Sequence, residues 1–154
     1  MSSGKIMVNP SLTQEYERDF HGWLVHNAEL LRSGELERID AINLAEELEG
    51  MGRKQHHELV SRLKIVLLHL LKWQFQAQYR SRSWNATLLE QRQQLADLLE
   101  ENPSLHHDIG NKFSKAYAMA RKLAAAETGL PLESFPRHCP YRLDQALNEA
   151  FYPL

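Results

Sequence analysis

The chain has 154 residues, of which 43% are hydrophobic and 25% are charged, and its formal net charge is -2. This is the composition of an ordinary globular protein, so a disordered or fibrous chain is excluded. The only cysteine is Cys139, which excludes an intramolecular disulfide and favours a cytoplasmic, reducing location.

The N-terminal residues MSSGKIMVNP lack the apolar core of a secretory signal. No apolar run reaches the eighteen or so residues that a membrane-spanning helix needs, because Arg62, Lys64, His69 and Lys72 interrupt the best candidate. We therefore expect a loose lead over residues 1–12, a single helical domain over residues 13–154, and no contact with a membrane.

Two helices are predicted in the first third of the chain. Thr13 is an N-cap candidate for the first, which Ser33 and Gly34 end because glycine accepts a left-handed conformation. Asp40 caps the second, and Gly50 and Gly52 predict a kink or short break, although a continuous helix to Gln76 stays open. The apolar and aromatic residues of the first helix recur at steps of three and four: Tyr16, Phe20, Trp23, Leu24, Ala28 and Leu31.

The segment 59–76, LVSRLKIVLLHLLKWQFQ, is apolar on nearly all sides, which predicts a central helix inside a bundle. Its polar residues are not scattered. Glu58, Arg62, His69 and Gln76 fall within about 40° of each other around the helix axis. The central helix is thus expected to carry one polar stripe.

The rest of the chain contains further helical patterns. A helix capped by Ser81 or Ser83 is predicted to stop at Asn102 and Pro103, and another runs from Ser104 to about Glu127. Three prolines in residues 130–143 predict a proline-rich strap, and a short last helix covers residues 143–151. The predicted class is an all-α, single-domain bundle of five or six helices.

Six phrases occur in one order from about Tyr16 to Tyr141: DFHGWLVHNAELLRSG, LAEELEGMG, SRLKIVLLHLLKW, RSRSW, ETGL and FPRHCPY. Together they resemble the bacterial, largely cyanobacterial family catalogued as domain of unknown function number twenty-nine. The resemblance implies a helical domain of bacterial origin. It implies no particular activity.

Charge is distributed unevenly along the chain. Residues 11–50 hold ten acidic and three basic side chains, whereas residues 53–92 hold two acidic and eight basic ones. The two segments either pack together with complementary fields or provide a basic face for an anionic ligand or RNA. In the first case we expect Glu46 or Glu47 to lie within salt-bridge distance of Arg62, Lys72 or Arg82.

The spacing of Arg62 and His69 resembles the arginine-to-histidine motif of the HEPN superfamily, small all-α domains that include metal-independent ribonucleases. The resemblance implies that Arg62 would stabilise the phosphorane oxygens while His69 acted as general acid or base. Leu63 stands where that superfamily usually has a polar residue. Many such domains complete their site as dimers, so a homodimer stays open.

No metal and no cofactor are expected. The inner helices contain no Glu-x-x-His pair of the kind that di-iron bundles use, and the chain has no Walker loop, nucleophile elbow or dinucleotide fingerprint. Cys139 lies in the proline-rich segment, where a structural role is the usual one.

Cations and flat aromatic side chains alternate in residues 77–85, AQYRSRSWN, a combination that suits phosphate binding, base stacking or cation–π packing. We predict a binding or interaction module rather than an enzyme, for an unknown protein or an anionic ligand, with RNA left open. The alternative is a metal-independent ribonuclease that uses Arg62 and His69. The candidate binding residues are Glu46, Glu47, Lys72, Trp73, Arg80, Arg82 and Trp84.

Overall fold

The structure is a computed structural model that describes residues 9–154. The fold is all-α, as predicted, and no strand occurs in those residues. Short 3₁₀ turns lie at Leu36–Arg38, Ala77–Tyr79, Pro103–His106 and Leu132–Ser134. The helices are α1 (Pro10–Arg18), α2 (Phe20–Arg32), α3 (Ala41–Phe75), α4 (Arg82–Glu101), α5 (Ile109–Thr128) and α6 (Leu143–Leu147).

The first predicted helix is in fact two, because the chain breaks at Asp19. The Asp19 amide still bonds to the Glu15 carbonyl of α1, while its carboxylate accepts from the Gly22 amide at 3.1 Å and caps α2. A Cβ at Gly22 would lie 2.5 Å from that carboxylate, so glycine permits the cap. The apolar residues keep the same helical spacing on both sides of Asp19, so the sequence pattern does not reveal the break.

The start of α1 also differs from the expectation. Asn9, not Thr13, is the N-cap, and its side chain accepts from the Leu12 amide. Pro10 follows at the first helical position, where its missing N–H has no intrahelical partner to lose. Residues 10–12 are therefore helical, and residues 1–8 of the expected lead lie outside the described residues.

The short break predicted at Gly50 and Gly52 does not occur, and the alternative of a continuous helix is the one found, since α3 runs from Ala41 to Phe75. Each glycine lowers helix stability by about 1 kcal/mol relative to alanine, which 35 residues of helix can offset. No described helix has both the length and the hydropathy to cross a membrane.

Two compact units divide the chain, the first ending at Lys54 and the second beginning at Gln55. In the first unit, the fully buried Trp23 donates its indole N–H to Asp40 at 3.0 Å. The Asn27 side chain donates to the Trp23 carbonyl and accepts from the Asp40 amide. The centre of the first unit is thus a small polar network. The organisation of the chain as a single domain stays a prediction.

The second unit contains the hydrophobic core. The part of α3 from Leu59 onward supplies seven buried aliphatic side chains, as the apolar segment predicted. They pack with buried residues of α4 and α5, including Leu88, Leu95 and Phe113. This packing fixes the end of α3 against the neighbouring helix termini.

The boundaries of the later elements were predicted in part. Ser81 caps α4 by accepting from the Trp84 amide at 3.2 Å, and α4 stops before Pro103 as expected. However, α5 begins at Ile109 rather than Ser104, because residues 103–106 form a 3₁₀ turn. The last helix ends at Leu147, short of Phe151.

Candidate functional site

A pocket of about 360 Å³ lies in the second unit, where the last turn of α3 meets the first turn of α4 and the last turn of α5. The 3₁₀ turn at Ala77–Tyr79 closes one side. Its lining residues are Lys72, Gln76, Tyr79, Trp84, Glu127 and Thr128. Two of the predicted binding residues, Lys72 and Trp84, are thus brought together here.

Lys72 provides the cation of this pocket. Its ammonium lies 3.2 Å from a carboxylate oxygen of Glu127 and 4.7 Å from the centre of the Trp84 ring. Its side chain is only 15% exposed, so these two contacts hold it in a largely desolvated position. An ammonium has three N–H donors, and one therefore stays available to a ligand.

Gln76 supplies an amide that has no hydrogen-bond partner among the described residues. The residue is 8% exposed and lines the pocket. Because α3 ends at Phe75, Gln76 has a non-helical backbone, with φ -130° and ψ 52°. The amide atoms of Gln76 are not sealed from solvent, so they are open to a polar partner in the pocket.

Two aromatic rings form the apolar part of the wall. Trp84 lies in the first turn of α4, positioned by the Ser81 cap, and Tyr79 stands at the rim with 63% of its surface exposed. Thr128 is already engaged, since its hydroxyl donates to the Ala124 carbonyl at 2.6 Å. The pocket therefore combines flat faces, one ion pair and one free amide.

A family model described as Domain of unknown function DUF29 matches residues 15–152 of the chain. The chain belongs to this family. No curated protein and no solved structure matches it significantly. The description of this family assigns no activity.

The other aromatic and basic candidates of this DUF29 chain lie next to one another. The Arg80 guanidinium stacks 5.0 Å from the centre of the Trp73 ring and donates to the Trp73 carbonyl at 2.8 Å. Trp73 packs in turn on Tyr152, with ring centres 4.8 Å apart. Arg82 is exposed, and no ion pair is formed by it in residues 9–154.

Arg62 and His69 are each engaged with other groups of the second unit. Arg62 donates to Glu58 at 2.9 Å and to Gln91 at 3.1 Å. The Nδ1 atom of His69 lies 2.9 Å from the Ile65 carbonyl, so Nδ1 carries the proton that is donated. Burial lowers the pKa of His69 below its ordinary value, which favours the neutral ring.

The predicted pairing of the EELE glutamates with Arg62, Lys72 or Arg82 is wrong. Glu46 lies 3.6 Å from Arg53, and Glu47 accepts a hydrogen bond from the Tyr16 hydroxyl. The expectation rested on the opposite charge counts of residues 11–50 and 53–92. Each glutamate is instead engaged by a residue of the first unit, so the charge counts did not identify the partners.

A second cleft, of about 600 Å³, lies in the first unit and was not anticipated from the sequence. Two pairs of its charged groups contact each other, Glu15 with His26 at 2.7 Å and Glu35 with Arg38 at 2.9 Å, whereas the exposed Glu29 forms no ion pair within residues 9–154. None of the polar residues that line this cleft is as buried as Gln76. The Glu15 carboxylate accepts a hydrogen bond from the His26 ring, which raises the pKa of His26.

Cys139 is half-buried, and its thiol donates to the Tyr141 carbonyl at 3.3 Å. Burial raises the pKa of this thiol, which disfavours the nucleophilic thiolate. Within residues 9–154, no three His, Cys, Asp or Glu side chains come together in the arrangement that a metal ion would need.

Proposed function

We propose that this DUF29 chain is a binding module whose ligand occupies the pocket around Gln76. The observation that carries the proposal is the Gln76 amide, which lines the pocket and has no hydrogen-bond partner among the described residues. Although the residue is only 8% exposed, its amide atoms are not sealed from solvent, so a ligand in the pocket can reach them. A ligand that accepts from this amide gains a hydrogen bond worth about 0.5–1.5 kcal/mol.

The pocket favours a small ligand with an anionic group and a flat ring. Gln76 and Lys72 both line the pocket and both have N–H donors, which suits a carboxylate or phosphate oxygen. Trp84 and Tyr79 offer aromatic faces to a planar group. A volume of about 360 Å³ lies at the small end of the usual range for ligand pockets.

The charge near the pocket supports an anion. Arg80 and Arg82 lie on the segment that joins Tyr79 to Trp84, two residues of the pocket wall. Arg80, Arg82 and Lys72 place three positive charges at or near the pocket, whereas Glu127 is the acidic residue among those that line it. A local excess of positive charge raises the concentration of anions at such a site and speeds their association.

The ribonuclease and RNA-binding interpretations have less support from the structure. No described contact joins Arg62 to His69, and Glu58 and Gln91 already occupy the Arg62 guanidinium, so no specific observation favours the ribonuclease. An RNA strand would need an extended basic groove rather than a pocket of this size. The cytoplasmic location stays a prediction from the cysteine content.

A binding panel tests the proposal. Benzoate and adenosine monophosphate combine a ring with an anion, whereas inorganic phosphate has the anion alone. We expect either ring compound to quench the fluorescence of Trp84 and to bind at least about tenfold more tightly than phosphate, since stacking adds about 1–3 kcal/mol. Trp84→Phe should remove the fluorescence change, which separates Trp84 from Trp23 and Trp73.

The matched variants are Gln76→Leu and Gln93→Leu, the second changing an exposed glutamine of α4. Gln76→Leu should abolish binding while the protein stays folded, and Gln93→Leu should bind like wild type. Unchanged affinity in Gln76→Leu would refute the assignment of the site. Tight binding of an RNA oligonucleotide, with an affinity that falls steeply with salt, would replace the small ligand by RNA.

A further inference from the structure

The first unit exposes many of its large apolar side chains. Leu12 and Trp23 are the buried hydrophobic residues found in positions 9–54. Large apolar side chains exposed together on one small unit usually mark an interaction surface. Eight of them are more than 40% exposed in this unit: Phe20, Leu24, Val25, Leu31, Leu36, Ile42, Leu48 and Met51.

One group of these side chains forms a stripe on α2, here called the α2 face. Phe20, Leu24 and Leu31 fall within about 40° around the axis and span about 16 Å along it. His21 and Arg32 are exposed along one edge of this stripe. In residues 9–154, neither of them forms an ion pair, so the α2 face is apolar with an unpaired basic edge.

A second group lies on the first turns of α3 and is called the α3 face. Ile42 and Leu48 are exposed there, and the small residues Ala45 and Gly52 lie between them around the axis. Nothing lies within 4 Å of the position that a Cβ of Gly52 would take. The exposed Glu49 lies on the same side and forms no ion pair within residues 9–154.

The position of Gly52 on the α3 face explains why a glycine is present there. Gly52 lies inside the continuous helix α3, where it lowers helix stability relative to alanine. Because glycine has no Cβ, it allows another backbone to approach the helix closely at this point. Here the open space above Gly52, with Ala45 one heptad earlier, lets a second helix approach the α3 face closely.

We propose that the two faces bind each other between two copies of the chain, so that the protein is a symmetric homodimer formed by its first unit. The faces have matching lengths, about 16 Å and about 15 Å. One has an unpaired basic edge and the other an unpaired acidic residue, so Arg32 of each copy meets Glu49 of the partner copy. A twofold axis then forms both contacts at once, as an isologous interface requires. This dimer does not depend on the ligand pocket.

The molar mass in solution, measured by light scattering after gel filtration, tests the dimer. We expect a mass near twice 17.9 kDa for the wild-type chain. Leu24→Glu and Leu48→Glu should give monomers with unchanged helical circular dichroism. Leu89→Glu is the matched control, because Leu89 of α4 is 43% exposed and Leu24 is 41% exposed.

Charge reversal at Arg32 and Glu49 tests whether the α2 face of one copy binds the α3 face of the other. Arg32→Glu and Glu49→Arg should each raise the dissociation constant by about tenfold, because each places like charges opposite one another. The double variant should restore the wild-type value. A wild-type chain that stays at 17.9 kDa at high concentration would overturn the proposal, as would equal weakening by Leu24→Glu and Leu89→Glu or a double variant without rescue.

Discussion

Arg92 donates from Nε to the carbonyl oxygen of Ala146 at 2.8 Å, although the residue is only 1% exposed. Its Nη2 atom donates to the Gln145 carbonyl at 3.2 Å. Both carbonyls belong to the last turn of α6, where a cation is favoured, and the Gln145 carbonyl also accepts from the Asn148 amide at 3.2 Å. Burial lowers the pKa of Arg92, and these carbonyls compensate part of that desolvation. A buried cation thus joins α6 to α4.

Arg92→Leu should lower the free energy of unfolding by about 2–4 kcal/mol, because it removes two charge-assisted hydrogen bonds and leaves the Ala146 carbonyl without its side-chain partner. Hydrogen exchange should accelerate selectively in residues 143–152. Arg142→Leu is the control: Arg142 is exposed and pairs with Asp144 at 3.0 Å, so the loss should leave stability near wild type. Equal effects of the two substitutions would contradict the role given to Arg92.

His69 should make the fold sensitive to acid. Burial lowers its pKa in the folded state, so the unfolded chain binds the proton more tightly. This part of the stability is present above the unfolded pKa of about 6.5 and is lost as the pH falls below it. His69→Leu should therefore narrow the difference in Tm between about pH 8 and pH 5. A variant as acid-sensitive as wild type would refute this.

His26 should act in the opposite direction. Its hydrogen bond with Glu15 raises its pKa in the folded state, so the protonated ring stabilises the fold. That contribution is complete below the unfolded pKa of about 6.5 and is lost as the pH rises through the raised value. His26→Gln should lower Tm at about pH 5 and have little effect at about pH 9. A larger decrease in Tm at about pH 9 than at about pH 5 would show that His26 and Glu15 do not form this pair.

Gly50→Ala should raise the free energy of unfolding by about 0.5–1 kcal/mol, because alanine restricts the unfolded chain and suits a helix interior. A Cβ at Gly50 would meet the side chain of Arg53 at 3.5 Å, an ordinary contact. Gly129→Ala should lower stability instead, since Gly129 has φ +73° at the end of α5. Chemical denaturation measures both, and a destabilising Gly50→Ala would argue for a kink in solution.

Local chemistry made part of the fold predictable. The end of α4 before Pro103 and the glycine after α5 follow from backbone constraints that act within a few residues. The break at Asp19 was not predictable from periodicity, because the aromatic pattern of Tyr16, Phe20 and Trp23 continues through it. The rings of these three residues pack together despite the break.

Only those residues of the candidate site that lie close to one another in the sequence were predictable. Trp84 stood out because cations and aromatic residues alternate in residues 77–85, and Lys72 stood out because it flanks the polar stripe of the central helix. Glu127 was missed, since its contact with Lys72 arises from the packing of α5 against α3, which one sequence does not reveal. Gln76 was placed on the polar stripe, but its unpaired amide results from the end of α3 at Phe75.

The side-chain amide of Gln76 offers the most direct measurement of the proposed binding function. Its two N–H groups give a resolved pair of signals in a ¹H–¹⁵N spectrum, assigned by their loss in Gln76→Leu. On titration with benzoate or adenosine monophosphate, we predict that this pair and the indole signal of Trp84 shift together and saturate with one affinity, while the indole of Trp23 does not move. Titrations in which the Gln76 signals stay in place, whether or not other signals shift, would contradict the assignment of this pocket as the binding site.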